Sequence, residues 1–310
     1  MNKQLKWVLV VLAGLFFWKA GLGQELRFAV NGIPPELRES AEAVTRYSHT
    51  RILVTDPRKM ILQVKKAVTV LSPRGEYFGV AHVFYDKSRK IADLSAEIYD
   101  ASGSLVRRVK QKEFSDQSAV SDISIFEDTR VKFFNPPTDR YPYTVYYQYE
   151  VRRDDTHYFS DWFPTHSPLV SVQEAVYEVV CGPGFAIRTK EMYLPAAGRE
   201  VTPDGSSVYR WHVKNLAACG EQPFAPPPRS FLPHVLIAPV NFRYKGMDGR
   251  FNNWEEYGRW VYQHLLEGRD EVPEATAEKV RTLVAGLSDE REKVERIYRF
   301  VQEKNRYVSI

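Results

Sequence analysis

Residues 144–151 read TVYYQYEV, and the alternation in this stretch decides the fold class. Val145, Tyr147, Tyr149 and Val151 fall on one side of an extended chain, and the other tyrosine, the glutamine and the glutamate fall on the opposite side. Such a period of two residues is typical of a half-buried antiparallel strand, with one face in a core and one in water.

The same alternation recurs before and after this stretch, and it is clearest in residues 93–100 and 207–213. Turn-forming runs rich in Gly, Pro, Asp and Ser separate the strands, such as residues 72–75 (SPRG). Many short strands joined by turns favour two packed sheets. We therefore predict a mainly β fold with an antiparallel β-sandwich-like domain over residues 51–220.

Two segments flank the predicted β domain. In residues 24–50, a Pro-Pro pair is followed by apolar residues at spacings of four and three, which predicts a helical lead-in. Residues 221–250 contain six prolines, and proline excludes both a helix and a central strand. We predict that this second segment is an extended connector.

The apolar period changes to about 3.6 residues in residues 251–310, which predicts three helices. Asn253 can cap the first helix and Gly268 can end it. Pro273 can begin the second helix, and Asp289 can cap the third. This segment therefore predicts an α-helical part that follows the β domain.

The third predicted helix runs into the strand-like residues 306–310 (RYVSI), where the sequence stops. Amphipathic helices need another element to cover their apolar faces. We expect that Ile310 is a truncation point within an incomplete α+β domain. In the alternative, the helices pack back on the β domain.

Residues 1–23 have the character of a secretory signal peptide. A short basic start precedes a run of twelve apolar residues, whereas a membrane-spanning helix needs about twenty. Small residues precede a cleavage position before Gln24. We predict export to the periplasm or cell surface, with no membrane span after cleavage; an uncleaved anchor is the alternative.

The net charge of the predicted exported chain does not indicate a class of binding partner. The formal charge of the 310 residues is +4, and three of the lysines lie in residues 1–23, which carry no acid. The remainder is nearly neutral, so nucleic-acid binding is not expected. The sequence has no phosphate-binding glycine loop, and its seven histidines show no metal-ligand spacing, so we predict no cofactor and no metal.

The two cysteines, Cys181 and Cys219, are candidates for a disulfide in an exported protein. Two separate structural thiols are an equally good interpretation. A catalytic thiol with His166 or His212 as its base is disfavoured, because no recognisable motif surrounds either cysteine.

Aromatic residues are dense around residues 141–163, and alternation directs some of them outward. Tyr146, Tyr158 and Trp162 are candidates for an exposed aromatic surface that binds an unidentified peptide, protein or glycan by stacking. Cross-strand packing beneath a loop or a second domain is the alternative.

The β region resembles the bacterial domain of unknown function that precedes transglutaminase-like domains in exported proteins. The matching stretches are residues 68–71 (VTVL), 98–103 (IYDASG), 128–132 (DTRVK), 141–145 (YPYTV) and 161–163 (DWF). The tail is similar to the helical start of the transglutaminase-like, papain-type domain itself. Its matching residues are Trp254, Tyr257, Trp260, 268–270 (GRD), 293–302 (KVERIYRFVQ) and 306–310 (RYVSI).

The resemblance implies a parent protein that is a thiol protease, amidase or acyl-transfer enzyme. Such domains use a Cys in a Gly-Asp-Cys turn, with a later His and Asp, and this sequence stops before that motif. We therefore assign no catalytic residue, and expect a non-catalytic, substrate-positioning β domain joined to the first helices of the enzyme. The alternative is a non-enzymatic binding or scaffolding module at the cell envelope.

Overall fold

The computed structural model describes residues 28–119, 128–138, 140–269 and 271–305. The predicted signal peptide and the strand-like residues 306–310 lie outside these residues. The described strands are β1 (Ala43–Asp56), β2 (Lys59–Val70), β3 (Ala81–Tyr85), β4 (Arg89–Tyr99), β5 (Leu105–Lys110), β6 (Ser115–Ser118), β7 (Arg130–Phe134), β8 (Tyr143–Arg153), β9 (Val170–Cys181), β10 (Ile187–Met192), β11 (Gly198–Val201), β12 (Ser207–Leu216), β13 (His234–Pro239), β14 (Asn241–Tyr244) and β15 (Met247–Arg250). The described α-helices are α1 (Trp254–Val261), α2 (Glu274–Val284) and α3 (Glu290–Lys304).

Eight strands form one large sheet in the order β11-β12-β9-β1-β2-β8-β4-β5. Every neighbouring pair is antiparallel except β1 and β9, which run parallel. The predicted mainly β, antiparallel fold is confirmed. The parallel pair requires the chain to cross from β8 to β9 through residues 154–169, which later form part of the candidate site.

Two small sheets cover one face of the large sheet. The sheet β3-β7-β6 packs over β2, β8, β4 and β5, where its core includes Val83, Leu94 and Val145. The pair β10-β13 packs over β1, β9 and β12, where its core includes Tyr177 and Trp211. Each cover buries one alternating set of side chains, as the period of two predicts. Between the two covers, the middle of the large sheet is less completely covered.

The helical lead-in predicted for residues 24–50 is wrong in its second half. From residue 28, where the described part begins, only two single-turn 3₁₀ helices form, at Val30–Gly32 and Pro35–Leu37, and β1 starts at Ala43. The run that follows is rich in β-branched residues and pairs with a strand on each side, β2 and β9. This pairing satisfies the backbone of β1 along most of its length, which outweighs the weak helical spacing.

The connector predicted over residues 221–250 also contains strands. His234–Pro239 forms β13, which places Val235 and Ile237 in the core over the large sheet. Proline is tolerated here because Pro239 ends the strand. The following β14 and β15 pair as a hairpin, so only the first part of the segment is an extended connection.

The three predicted helices are confirmed with their start signals. The Asn253 side chain accepts a hydrogen bond from the backbone N–H of Glu256 at 2.8 Å, and Asp289 accepts one from Arg291 at 3.2 Å. Helices α2 and α3 bury no residue completely, and Tyr298 on α3 is 61% exposed. Among the described helices, none combines the length and the apolar character that a membrane crossing requires.

Helix α1 is fixed to the β14–β15 hairpin by an aromatic cluster. The Trp260 ring meets Phe242 edge to face at 4.9 Å, and its indole N–H donates to the carbonyl oxygen of Asp248 at 2.8 Å. The Tyr257 hydroxyl lies 3.0 Å from Nε2 of His157, in the segment that leaves β8. The first helix is therefore attached to the β region through specific contacts.

Candidate functional site

A cleft of about 600 Å³ lies over the middle of the large sheet, between its two covers. Its floor is formed by β1, β2 and β8, and its sides by the 3₁₀ segment Pro73–Gly79 with β3 on one side and by residues 160–166 on the other. The cleft continues into a second volume of about 480 Å³ near the start of β1. Lys66, Tyr147 and His166 line both volumes, so the two volumes join at these residues into one continuous groove.

Lys66 is the most unusual side chain on the floor. It lies on the same face of β2 as Val64 and Val68, where the alternation of the strand would otherwise supply an apolar residue. Within the described residues, no carboxylate lies within 4.0 Å of its ammonium group. Lys66 is half-buried, and the partial burial of its ammonium lowers its pKa. Burial and the charge of Lys66 also lower the pKa of His166.

The cleft also collects buried polar atoms that have no hydrogen-bond partner. In the described part of the chain there are four such side-chain atoms, and three of them belong to cleft residues: Thr45 Oγ1, Arg153 Nε and Tyr177 Oη. Thr45 and Tyr177 are each only 1% exposed. Burial raises the pKa of Tyr177, so its hydroxyl keeps its proton and can donate. Buried polar groups are normally paired, so these three atoms fit a bound ligand.

The charges around the cleft favour an anion. Among the described residues that line the two volumes, Asp161 is the single carboxylate, and Arg229 pairs with it at 3.2 Å. Arg153 pairs with Asp155 at 2.6 Å through its terminal nitrogen, while its Nε remains unpaired. Within the part of the chain that the structure describes, the ammonium of Lys66 therefore has no competing carboxylate in the groove.

Aromatic rings form flat walls beside these donors. Tyr147 and Tyr149 stack with their centroids 6.4 Å apart, and Trp162 stacks on Tyr177 at 5.2 Å. Tyr77 is 74% exposed at the rim of the groove. Aromatic rings bind extended chains through large contact area at low entropic cost.

The strands that form the cleft floor all lie within residues 43–219. This stretch matches the family of DUF3857, described as a domain of unknown function with a solved structure. The chain belongs to the DUF3857 family. The match covers more than half of the sequence and includes β1 to β12.

The fold of the chain is similar to that of a crystal structure of a candidate protease from Parabacteroides distasonis. The TM-score is 0.66 and the sequence identity is 14%, over 87% of this chain and 52% of that one. The chain thus spans about half the length of that protein. A comparison with curated proteins gave no match. At this identity the similarity shows the fold alone.

The aromatic surface predicted from the sequence does not form in the DUF3857 domain. Tyr158 is 58% exposed, but Trp162 is 6% exposed because its backbone pairs with Val235 and its ring stacks in the core. Tyr146 lies on the opposite face of β8 from the cleft and stacks on Phe28 at 6.0 Å. The three residues therefore share no surface, although Trp162 does contribute to the cleft.

The two cysteines are free thiols in the structure. Cys181 is fully buried at the end of β9, whereas Cys219 is exposed in the segment after β12. His212, considered as a partner for a catalytic thiol, instead contacts Glu174 at 2.9 Å. Burial raises the pKa of Cys181 to about 12, which makes its thiol a poor nucleophile.

Alkylation should therefore distinguish the two cysteines. We expect iodoacetamide at about pH 8 to add one group per native chain, at Cys219, because the exposed thiol is accessible to the reagent and the buried thiol of Cys181 is not. Intact mass and peptide mapping measure the uptake. After unfolding without a reductant, two groups should be added. No uptake before or after unfolding would show a disulfide, and labelling of Cys181 in the native chain would contradict its burial.

Sequence reasoning missed most of the cleft residues, including Lys66, Thr45 and Tyr177. One signal for Lys66 was present: in residues 60–70 the even positions read Met, Leu, Val, Lys, Val and Val, so a single lysine interrupts an apolar face. A lysine is uncommon on the inner, otherwise apolar face of a strand.

Proposed function

We propose that the DUF3857 domain holds a peptide in the cleft and positions it for a transglutaminase-like thiol protease or amidase. In this proposal α1 to α3 are the first helices of the enzyme domain, and the parent protein is exported. The observation that carries the proposal is the open groove with aromatic walls and unpaired buried donors. A peptide supplies apolar side chains that pack on the aromatic walls. Its carbonyl oxygens accept hydrogen bonds from the unpaired buried donors.

Three further observations support the enzyme context. The sequence of residues 251–310 is similar to the start of transglutaminase-like domains. The apolar side chains Val294 and Tyr298 on α3 are exposed, as expected for a helix whose partner is supplied elsewhere. The solved candidate protease has a similar fold, and the similar region covers 52% of its chain. The burial of Cys181 agrees with a role for this domain outside the chemical step.

Peptide binding to the groove can be tested with a blocking variant. Thr50 lines the cleft and is half-buried, so Thr50→Trp should fill the groove without entering a packed core. The matched control is Lys65→Trp, which adds the same side chain on the exposed face of β2. The probe is a pool of N-acetylated, C-amidated octapeptides carrying an uncharged fluorophore, and its fluorescence anisotropy measures binding.

We expect the native chain and Lys65→Trp to bind the pool with similar affinity, and Thr50→Trp to bind at least about tenfold more weakly, since an indole occupies the peptide path. Unchanged thermal unfolding of both variants is required for the comparison. Equal binding by all three chains, or binding by none, would refute a peptide-binding cleft.

The alternative function is a binding module that acts without an attached enzyme. It is favoured by one observation: every described residue that lines the cleft comes from residues 45–177, so none of the helices α1 to α3 forms part of the groove. The intact mass of the protein from its natural source distinguishes the two functions. A mass well above that of residues 24–310 supports the enzyme, and a mass equal to it supports the module.

A further inference from the structure

We propose that the cleft is specific for an extended peptide with an internal acidic side chain, whose carboxylate is bound by Lys66. This inference rests on the proposed peptide-binding function and adds the chemical class of the ligand. Its first support is charge complementarity, since the ammonium of Lys66 lies in a groove whose one described lining carboxylate, Asp161, is already paired with Arg229.

The second support is the set of unpaired donors, which is independent of the charge of Lys66. The hydroxyls of Thr45 and Tyr177 are buried, lack partners and line the two volumes on either side of the lysine. A carboxylate with its adjoining peptide carbonyls offers only acceptors to such donors. A neutral, apolar ligand would leave the hydroxyls unpaired at a cost in affinity.

The length of the groove indicates how the acidic group is presented. Floor residues on β2 run from Met60 to Val68, and strands rise about 3.3 Å per residue, so the groove is roughly 26 Å long. It therefore accommodates about eight residues of an extended peptide. Lys66 lies inside the groove rather than at an end wall, so the peptide continues on both sides of the bound carboxylate. An internal Asp or Glu side chain satisfies this geometry, and a chain terminus does not.

The experiment compares two pools of heptapeptides of the form acetyl-XXX-Z-XXX-amide with one pool of tetrapeptides, where X is an equimolar mixture of Ala, Val, Ser and Tyr. Position Z is Glu in the first pool and Gln in the second. A third pool is acetyl-XXX-Gln with a free terminal carboxylate. Each pool carries the same uncharged fluorophore, and anisotropy measures its affinity for the native chain, for Lys66→Met and for the matched control Lys65→Met on the opposite face of β2.

We expect the native chain to bind the Glu pool about tenfold more tightly than the Gln pool, as one hydrogen-bonded charge pair provides. The preference should disappear in Lys66→Met and persist in Lys65→Met. Methionine keeps most of the apolar stem, and Lys66→Gln is a second variant in which the preference should also be lost. Thermal unfolding confirms that each variant is folded.

Each other result overturns a defined part of the proposal. Equal binding of the Glu and Gln pools by the native chain, or a Glu preference that survives in Lys66→Met, refutes the acidic-peptide inference but leaves peptide binding intact. If the free-carboxylate pool binds most tightly, Lys66 recognises the C-terminal carboxylate of a peptide. That result refutes recognition of an internal acidic side chain. Binding of no pool refutes the proposed function as well.

Discussion

An alanine at position 75 is expected to lower the free energy of unfolding by about 3 kcal/mol. Gly75 lies in the 3₁₀ segment Pro73–Gly79, which packs against the start of β1. A Cβ atom at this position would lie 2.2 Å from the carbonyl oxygen of Glu42. That oxygen is backbone and already accepts a hydrogen bond from Leu71 at 3.0 Å, so it cannot move aside without disturbing the β1–β2 pair.

Denaturant unfolding followed by circular dichroism measures this loss. Gly258→Ala is the matched control, because no atom lies within 4 Å of its added Cβ and the residue sits inside α1. The control should be neutral or more stable by up to about 1 kcal/mol. An unchanged unfolding midpoint for Gly75→Ala would show that the 3₁₀ segment shifts to accommodate the added Cβ at little energetic cost.

The same substitution is also expected to weaken peptide binding. Tyr77 and Val80 follow Gly75 in the chain and form one side of the cleft. Any outward shift that relieves the contact with Glu42 moves this side relative to the floor, and small displacements of aligned contacts reduce affinity strongly. The stability of the segment and the shape of the cleft thus depend on one residue without a side chain.

The strands could be predicted because each has one solvent-exposed face and one buried face. In residues 144–151 the alternation correctly predicted which face points into the core, since Val145 and Val151 are buried. The helix starts at Asn253 and Asp289 were also predictable, because capping depends on neighbouring residues only. Patterns whose cause is local are therefore visible in the sequence.

Features that depend on distant partners were not visible. Val44 fits a helical spacing with Leu37, but its pairing with Ser171 on β9, far along the chain, decides its conformation. Trp162 lies outside any strand, so no alternation showed that Val235 would pair with it and bury it. The cleft has the same origin: alternation predicts that Lys66 shares a face with valines, but only the placement of the two small sheets leaves that face open at its middle.

Trp260→Ala should separate α1 from the β region. Trp260 is 7% exposed, and its indole contacts both strands of the β14–β15 hairpin through Phe242 and Asp248. Truncating a buried tryptophan costs about 3–5 kcal/mol, and the carbonyl oxygen of Asp248 also loses its indole partner. We expect faster hydrogen exchange in α1 and the hairpin, measured by mass spectrometry.

The control for this change is Trp254→Ala, on the same helix. Trp254 is 77% exposed, so its removal should leave exchange in the hairpin nearly unchanged. Equal protection of the hairpin in Trp260→Ala and in the native chain would show that the aromatic cluster is not what fixes α1.

Peptide affinity in Trp260→Ala then tests how the two parts of the chain work together. The lining residues that the structure describes all come from residues 45–177, so affinity should stay within about twofold of the native value. The cluster does reach His157, which precedes the cleft side formed by residues 160–166. A loss of affinity as large as that of Thr50→Trp would mean that α1 helps to shape the groove. Retained affinity would mean that the aromatic cluster serves to align a complete binding domain with the part of the protein that follows it.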